Sequence, residues 1–435
     1  MLLDLTRSRS EDERSADRRS PVAAASVASP GSWPEMRETA KAYMSRGQLA
    51  AFYTPLDPSS NPLVTAAGRL PGGLGRAIER DVRKRSMPLG EVHPVVACAP
   101  TFDLAHLLVY RATGRSRLLD RILELRDERF DKQVAKRVGN SAVFVGQAGA
   151  CQASLRAMCG RGIRTVVNWN IQYWPFARAQ YELDLHLKPE WLHTFGFTRF
   201  SSRRLRRWED ELQRTERVLV PSSLVADSLV TAGVPREKIL LVPYGVDTAR
   251  FRPAKGGQAS NGVRRVVCVG EIGQRKGIAY LFDVARRLPE ITFHVVGWQV
   301  APFPEAVPAN VEIAKNVPDV RPYLQAADVF LFPSLVDGFG LAVLEALACG
   351  LPVICSSNAG AQDIVSEGVD GFVIDPRDTR RAAELLSELR EDKDRLVTMQ
   401  VAARRKAEQY PWERFHHEVC DQIGVLNRET PTGQG

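Results

Sequence analysis

The residues best placed to do chemistry lie in two short stretches of the second half of the chain. In FPSLVDGFGLAVLEALACGLP, residues 332–352, Asp337 and Glu345 stand eight positions apart across a loop-to-helix junction. The apolar run Val329 to Phe332 predicts a strand entering Pro333 and Ser334. Gly338 and Gly340 then supply a tight turn, and Leu341 to Cys349 reads as a helix closed by Gly350. A ligand in front of that helix meets both acids and several backbone N–H groups that have no partner within the helix. Carboxylates at a helix start also suit the helix dipole without any ligand. Glu345 is different, because it sits inside the otherwise apolar LAVLEALACG, where a charge is costly without a partner. In GEIGQRKG, residues 270–277, a strand end, a glycine-bearing loop, the basic pair Arg275 and Lys276 and a helix start follow one another. A diphosphate fits there, held by helix N–H groups and a fixed cation. Basic side chains at a helix N-terminus are electrostatically misplaced unless an anion joins them.

The first stretch closely resembles the acid-x7-acid signature of the retaining glycosyltransferases of family 4, whose GT-B fold is two facing Rossmann-like domains. The resemblance implies that Asp337 holds hydroxyls of the donor sugar and Glu345 the ribose of the nucleotide, with Gly338, Phe339, Gly340 and Leu341 around the donor. The family usually has Glu first, so Asp337 is one methylene shorter. The second stretch is similar to the family's G-R-x(4)-K-G loop, whose Arg and Lys bind the donor diphosphate. Lys276 matches the Lys, and Glu271 stands where the Arg is expected. Either Arg275 supplies the second cation or the donor loop differs. SSNAGAQD, residues 356–363, resembles a glycine-bearing loop whose amides reach the donor, with Gly360 and Asp363 in place of the frequent GG-x-x-E. A plain strand-to-helix turn explains those residues equally well. Gly31 and Ser32 fall where the family places an acceptor-side loop.

The implied reaction is transfer of a sugar from a nucleoside-diphosphate sugar to a glycan, lipid-linked or small-molecule acceptor. The leaving phosphate takes the acceptor proton, so no acid/base dyad is expected, and neither metal nor other cofactor is required. Many family members carry a first-domain His near the sugar; here Ile163 to Val167 is followed by NWNIQYW. Asn168 and Asn170 are candidates for hydrogen-bonding a sugar, and Trp169, Tyr173 and Trp174 for stacking on it or for core packing. His186 and His193 read as ordinary histidines of a helical stretch. Two rivals share the fold: a sugar-nucleotide epimerase, and a non-catalytic protein that binds a nucleotide sugar or a partner. The second is favoured slightly by Asp337, Glu271 and the missing His. Hydride transfer is disfavoured, since neither half has an intact GxGxxG after its first strand.

These residues need rigid elements behind them, and the chain is long enough to provide two cores: 435 residues, 44% apolar and 25% charged. Residues 1–20 balance their charges without an aromatic and predict a disordered tail. A first strand is expected at Val22 to Val27 and a helix from Pro34 to Arg46. After a mixed segment at Pro62 to Lys84, strands are expected at Val95 to Ala97, Ala142 to Val145, Ile163 to Val167 and Val218 to Val220, and Ile239 to Pro243 leads into the next segment. Strands alternating with helices imply a parallel sheet covered on both faces. This first domain, 21–243, is taken as the acceptor domain.

YGVD at Tyr244 to Asp247 resembles the interdomain connection of family 4, and with few apolar anchors it predicts closure of the domains on donor binding. The donor domain is expected over 244–409. Its strands are predicted at Val266 to Val269, Thr292 to Val296, Val311 to Ala314, Val329 to Phe332 and Val353 to Cys355, and its helices at Gly277 to Leu288, Val320 to Ala326 and Arg380 to Glu408. A last helix, 410–427, should cross back onto the first domain before the tail 428–435.

A net charge of +8 suits phosphate-bearing ligands and is too weak for a nucleic-acid binder. The seven cysteines lack metal-ligand spacing and read as small buried hydrophobes in a reducing compartment. With no long apolar run and no signal-peptide core in MLLDL, cytosolic residence is expected. Ser201 to Leu212 predicts a basic amphipathic helix in which Arg206 pairs with Asp210 and Arg207 with Glu211. Contact with the inner face of a membrane is therefore expected to be transient at most.

Overall fold

The computed structural model describes residues 24–31, 33–55, 92–98, 117–139, 141–195, 201–254 and 262–425. The expected tails at 1–20 and 428–435, the mixed segment at 62–84 and Ser32 lie outside these residues.

The first half runs β1 (Ala25–Ala28), α1 (Pro34–Ser45), β2 (Leu49–Thr54), β3 (Val95–Ala97), α2 (Arg117–Arg137), β4 (Val143–Gln147), α3 (Gln152–Met158), β5 (Arg164–Asn168), α4 (Trp174–Leu187), α5 (Ser202–Arg214), β6 (Arg217–Val220), α6 (Ser223–Thr231) and β7 (Ile239–Leu241). The second half runs β8 (Arg265–Ile272), α7 (Ile278–Arg287), β9 (Thr292–Gln299), β10 (Val311–Lys315), α8 (Arg321–Ala326), β11 (Val329–Phe332), α9 (Leu341–Ala348), β12 (Val353–Ser356), β13 (Gly371–Ile374), α10 (Thr379–Glu391), α11 (Lys393–Glu408) and α12 (Trp412–Val425). Among the described residues the strands form two sheets, ordered β3-β2-β1-β4-β5-β6-β7 and β10-β9-β8-β11-β12-β13. Neighbouring strands are parallel in both. Their apolar runs follow from this, since a parallel strand covered by helices is buried on both faces. Val145, Val167 and Val220 in the first sheet and Val267, Phe330 and Ile354 in the second are all buried.

Three elements escape the sequence reading. β2, with two alanines in LAAFYT, lacks a β-branched signature. The charge-rich α2 lacks a clean apolar stripe, and β13 is a four-residue strand. The helix expected from Arg380 to Glu408 breaks at Asp392, whose carboxylate caps α11 by accepting the Arg395 N–H at 2.9 Å.

Helix α12 crosses back as expected. Phe415, Val419 and Ile423 join Met36, Ala40 and Tyr43 of α1 in one core cluster. His416 Nε2 meets Glu38 Oε2 at 2.9 Å.

The connection at Tyr244 to Asp247 corrects the expectation of few anchors. Tyr244 and Val246 are buried. The Tyr244 ring lies 5.0 Å from that of Phe339 and 5.9 Å from that of Phe415. Residues 174–195, which belong to the first domain in sequence, also pack on the second. Trp191 is fully buried among the second-domain residues Ile272, Phe282 and Phe293. No helix among the described residues is long and apolar enough to cross a membrane.

Candidate functional site

The C-terminal ends of β8 and β11 face the first sheet across a cleft, and both sequence-selected stretches begin there. Strand ends of open parallel sheets are where ligands of such folds collect, because the loops converge while the strands hold them. A cavity of about 630 Å³ opens between the sheets, lined by Gly31, Trp33, Gln147, Trp169, Asn170, Arg204, Glu271, Arg275, Lys276, Asp337 and Gly338 among others.

Lys276 is nearly buried, forms an ion pair with Asp337 and lies 4.6 Å from the centre of the Phe332 ring. Burial pushes the Lys276 pKa well below its usual value, and Arg275 adds to that while Glu271 opposes it. Glu271 does face the cavity, and its charge is matched by Arg275, whose Nε lies 3.3 Å from Glu271 Oε1. Arg275 also donates from Nη1 to the Val336 carbonyl at 3.0 Å. Arg275 is thus already engaged by its neighbours. Gly277 holds the turn with φ of 71°, and a Cβ there would fall 1.9 Å from the Pro333 carbonyl oxygen.

Glu345 and Leu341 line a second cavity, of about 670 Å³, together with Arg37, Lys41, Asp247, Arg250 and Trp412. The two acids thus line different cavities, Asp337 ahead of the start of α9 and Glu345 along its length. Burial pushes the Glu345 carboxyl up to about 7, with Arg250 the cation that opposes the shift. Phe339 is buried against Tyr244, so its ring belongs to the core of the interdomain connection. Gly340, with φ of 85°, starts α9.

The first-domain wall of the main cavity is aromatic and amide-rich. Trp169 is buried at 5.2 Å from the Trp208 ring, and its indole N–H has no hydrogen-bond partner among the described residues. Asn170 donates to Glu35 Oε1 at 2.9 Å. Glu35 itself is buried, and burial raises its pKa against the hydrogen bonds from Asn170 and Asn168. Gly31 reaches this wall, whereas His186 and His193 are exposed.

Helix α5 contradicts the pairing expected along it. Arg207 reaches Glu128 of α2 at 3.1 Å rather than Glu211. Asp210 pairs with Arg156 and Arg214, both at 2.9 Å or less. Glu211 is fully buried and accepts the N–H groups of Gly149 at 2.6 Å and Cys151 at 3.0 Å. It thereby fills with a carboxylate the loop before α3. The apolar face of α5 is used internally too, since Trp208 and Leu212 are buried.

Other residues that complete the cleft carry little signal in the sequence. Gln172 donates to the carbonyls of Asp337 at 2.8 Å and Asn358 at 2.9 Å. Ser222 donates to the Gly338 carbonyl at 2.6 Å, and Asp363 accepts from the N–H and hydroxyl of Ser223, each at 2.6 Å. A Cβ on Gly338 would lie 2.0 Å from the Asn170 carbonyl oxygen, and one on Gly360 would lie 2.1 Å from the Gly338 carbonyl oxygen. Close approach of backbones accounts for both glycines. Apart from the Gly360–Gly338 approach, each contact joins residues more than a hundred positions apart, so nothing local marks them. Among the described residues no group of three His, Cys, Asp or Glu side chains is arranged to hold a metal ion.

Comparison with known proteins agrees with this layout. A family model described as Glycosyltransferase Family 4 matches residues 95–250, and one described as Glycosyl transferases group 1 matches residues 263–392. The sulfoquinovosyl transferase SQD2 of Arabidopsis thaliana is 31% identical over 213 residues, covering 45% of this chain and 41% of that protein. A GDP-mannose-dependent alpha-(1-6)-phosphatidylinositol monomannoside mannosyltransferase of Mycobacterium tuberculosis is 31% identical over 237 residues, covering 48% and 61%. These matches thus span about half the length of the relatives. Among solved structures, Anabaena Alr3699/HepE in complex with UDP aligns with a TM-score of 0.62 at 16% identity, over 93% of this chain and 100% of that one. The sucrose-phosphate synthase of Thermosynechococcus elongatus gives 0.63 at 17% identity, over 93% and 98%. At such identities the likeness establishes the fold, which is GT-B.

Proposed function

We propose, because the chain belongs to glycosyltransferase family 4, that it moves a sugar from a nucleoside-diphosphate sugar to a carbohydrate, lipid-linked or small-molecule acceptor. The observation that carries this reading is the pairing of a buried cation, Lys276, with Asp337 at the cleft, opposite the amides and indole of the first domain. Lys276 and Arg275 receive the diphosphate, Asp337 takes hydroxyls of the donor sugar, and Glu345 takes the ribose, so the donor must reach from the cavity of Asp337 to that of Glu345. The acceptor enters from the side of Gly31, Trp33 and Trp208. A uridine or guanosine donor is the first choice, since the names of the similar proteins mention UDP and GDP-mannose.

The reaction retains the anomeric configuration. An acceptor oxygen forms the new bond to the anomeric carbon on the face the diphosphate leaves, the bond from that carbon to the phosphate oxygen breaks, and the acceptor proton passes to the leaving phosphate. The protein contributes position and charge, with Lys276 stabilising the negative charge that grows on the diphosphate. No metal is needed in this scheme, so transfer should persist in excess chelator. A thermal-shift panel of UDP, GDP, ADP and dTDP sugars identifies the donor, because a ligand at about 100 times its dissociation constant stabilises the fold by about 2.7 kcal/mol. Proton NMR of the product then reads the anomeric configuration. Absence of stabilisation by every nucleotide sugar sinks the assignment; stabilisation without transfer to any acceptor selects a binding protein, the reading that Glu271 facing the cavity favours. Membrane contact is at most transient, because the apolar face of α5 is spent in the core; salt-resistant co-sedimentation with anionic vesicles overturns this.

A further inference from the structure

The geometry points to Asp184, on the first-domain helix α4, as a positioning residue for the diphosphate loop of the second domain; this rests on the donor site proposed above. Asp184 is completely buried, and among the described residues its carboxylate bonds only to groups far away in sequence. Its Oδ2 accepts from Gln274 Nε2 at 2.6 Å, and its Oδ1 accepts from Tyr280 at 2.9 Å and from Nε and Nη2 of Arg377 at 3.1 and 2.9 Å. Gln274 is the residue just before Arg275 and Lys276. Its side-chain oxygen accepts the Ala279 N–H at 3.2 Å, which ties it to the first turn of α7.

The same first-domain segment grips the loop backbone. Thr194 Oγ1 accepts the Gln274 N–H at 3.0 Å, and the Thr194 carbonyl lies so close to Gly273 that a Cβ there would come within 2.4 Å of it. A loop with glycines at 270, 273 and 277 cannot hold two cations in register by its own conformational preferences. The bond from Gln274 to this carboxylate supplies that register, and the bonds from Tyr280 and Arg377 hold the carboxylate itself in place. Asp184 reaches neither cavity, so it acts through Gln274 and not on the donor.

The test is calorimetric binding of UDP and GDP to the full chain, with hydrogen exchange over residues 270–277 and melting temperature measured on the same samples. Asp184→Asn should weaken nucleoside-diphosphate binding tenfold or more and speed exchange in the loop. Gln274→Met leaves the Asp184–Arg377 pair intact and should do the same with a smaller drop in melting temperature, so a folding defect in the first variant does not decide the matter. Tyr280→Phe removes a bond of Asp184 that does not lead to the loop; it should lower the melting temperature without changing affinity or exchange. If Gln274→Met and Asp184→Asn lower only the melting temperature, Asp184 is structural and the inference falls. Should the parent protein bind neither nucleotide, the donor assignment fails for these bases, and loop exchange alone decides the role of Asp184.

Discussion

Glu345 carries two demands of opposite sign. The group is raised to about 7 from an ordinary 4.5, so the folded chain holds this proton more tightly than the unfolded chain does. Its contribution to stability is complete below the unfolded pKa, declines as pH climbs to about 7 and is level beyond. Recognition of ribose hydroxyls asks for the ionised form, so nucleotide affinity should rise as pH climbs through that same range. We predict that Glu345→Gln raises the melting temperature at mildly alkaline pH while weakening nucleotide binding by about tenfold to a hundredfold, equivalent to ~1.5–3 kcal/mol. Thermal melts and calorimetry across the neutral range check both arms; equal nucleotide affinity in parent and variant removes Glu345 from the site. Lys276→Ala should raise the donor KM and lower kcat together, with kcat/KM down by about a hundredfold or more, because its charge matters most as the diphosphate departs. Steady-state kinetics with varied donor separates this from a change in KM alone.

At the scale of elements, the loop ending β11 and the turn after β12 are held by the first domain as much as by their own strands. Gly338→Ala tests that support. Its Cβ would meet the Asn170 carbonyl oxygen at 2.0 Å, so the two backbones must separate. A loss of about 1–3 kcal/mol in stability is expected, with reduced transfer; an unchanged denaturation midpoint and full activity would show that this contact is not kept in solution. The strands of the second sheet other than β13 are legible in the sequence because they are largely apolar runs bounded by turn residues, and Asp337, Lys276 and the glycines between them stand out by spacing. What is not legible depends on distant partners. Asp184 looks like one charge in a helix of mixed composition, Glu211 looks like half of an i,i+4 pair, and Gln172 has no local mark at all. Each acquires its role only when strands β5 and β6 bring it against a loop from elsewhere. The separation of Glu345 from Asp337 is hidden for a similar reason, since spacing along α9 does not say which flank the interdomain connection covers.

For the whole molecule, the contacts between domains are numerous and polar: Ser222 to Gly338, Gln172 to Asp337 and Asn358, Ser223 to Asp363 and Arg377 to Asp184. With Tyr244 and Trp191 also buried, the closure suggested by the short connection should be modest. A compact chain of this length has a radius of gyration of roughly 22 Å. Small-angle scattering should give nearly the same value with and without saturating donor, and a large contraction on binding would show that these contacts open in solution.

The return of α12 onto α1 has a consequence for how the protein is made. The apolar face that Met36, Ala40 and Tyr43 present early in synthesis receives Phe415, Val419 and Ile423 only after the second domain has been made. Through most of translation the nascent first domain must carry that bare face past other chains. A fragment ending near residue 243 should therefore aggregate or bind chaperones, and adding α12 as a separate peptide should restore it to solution.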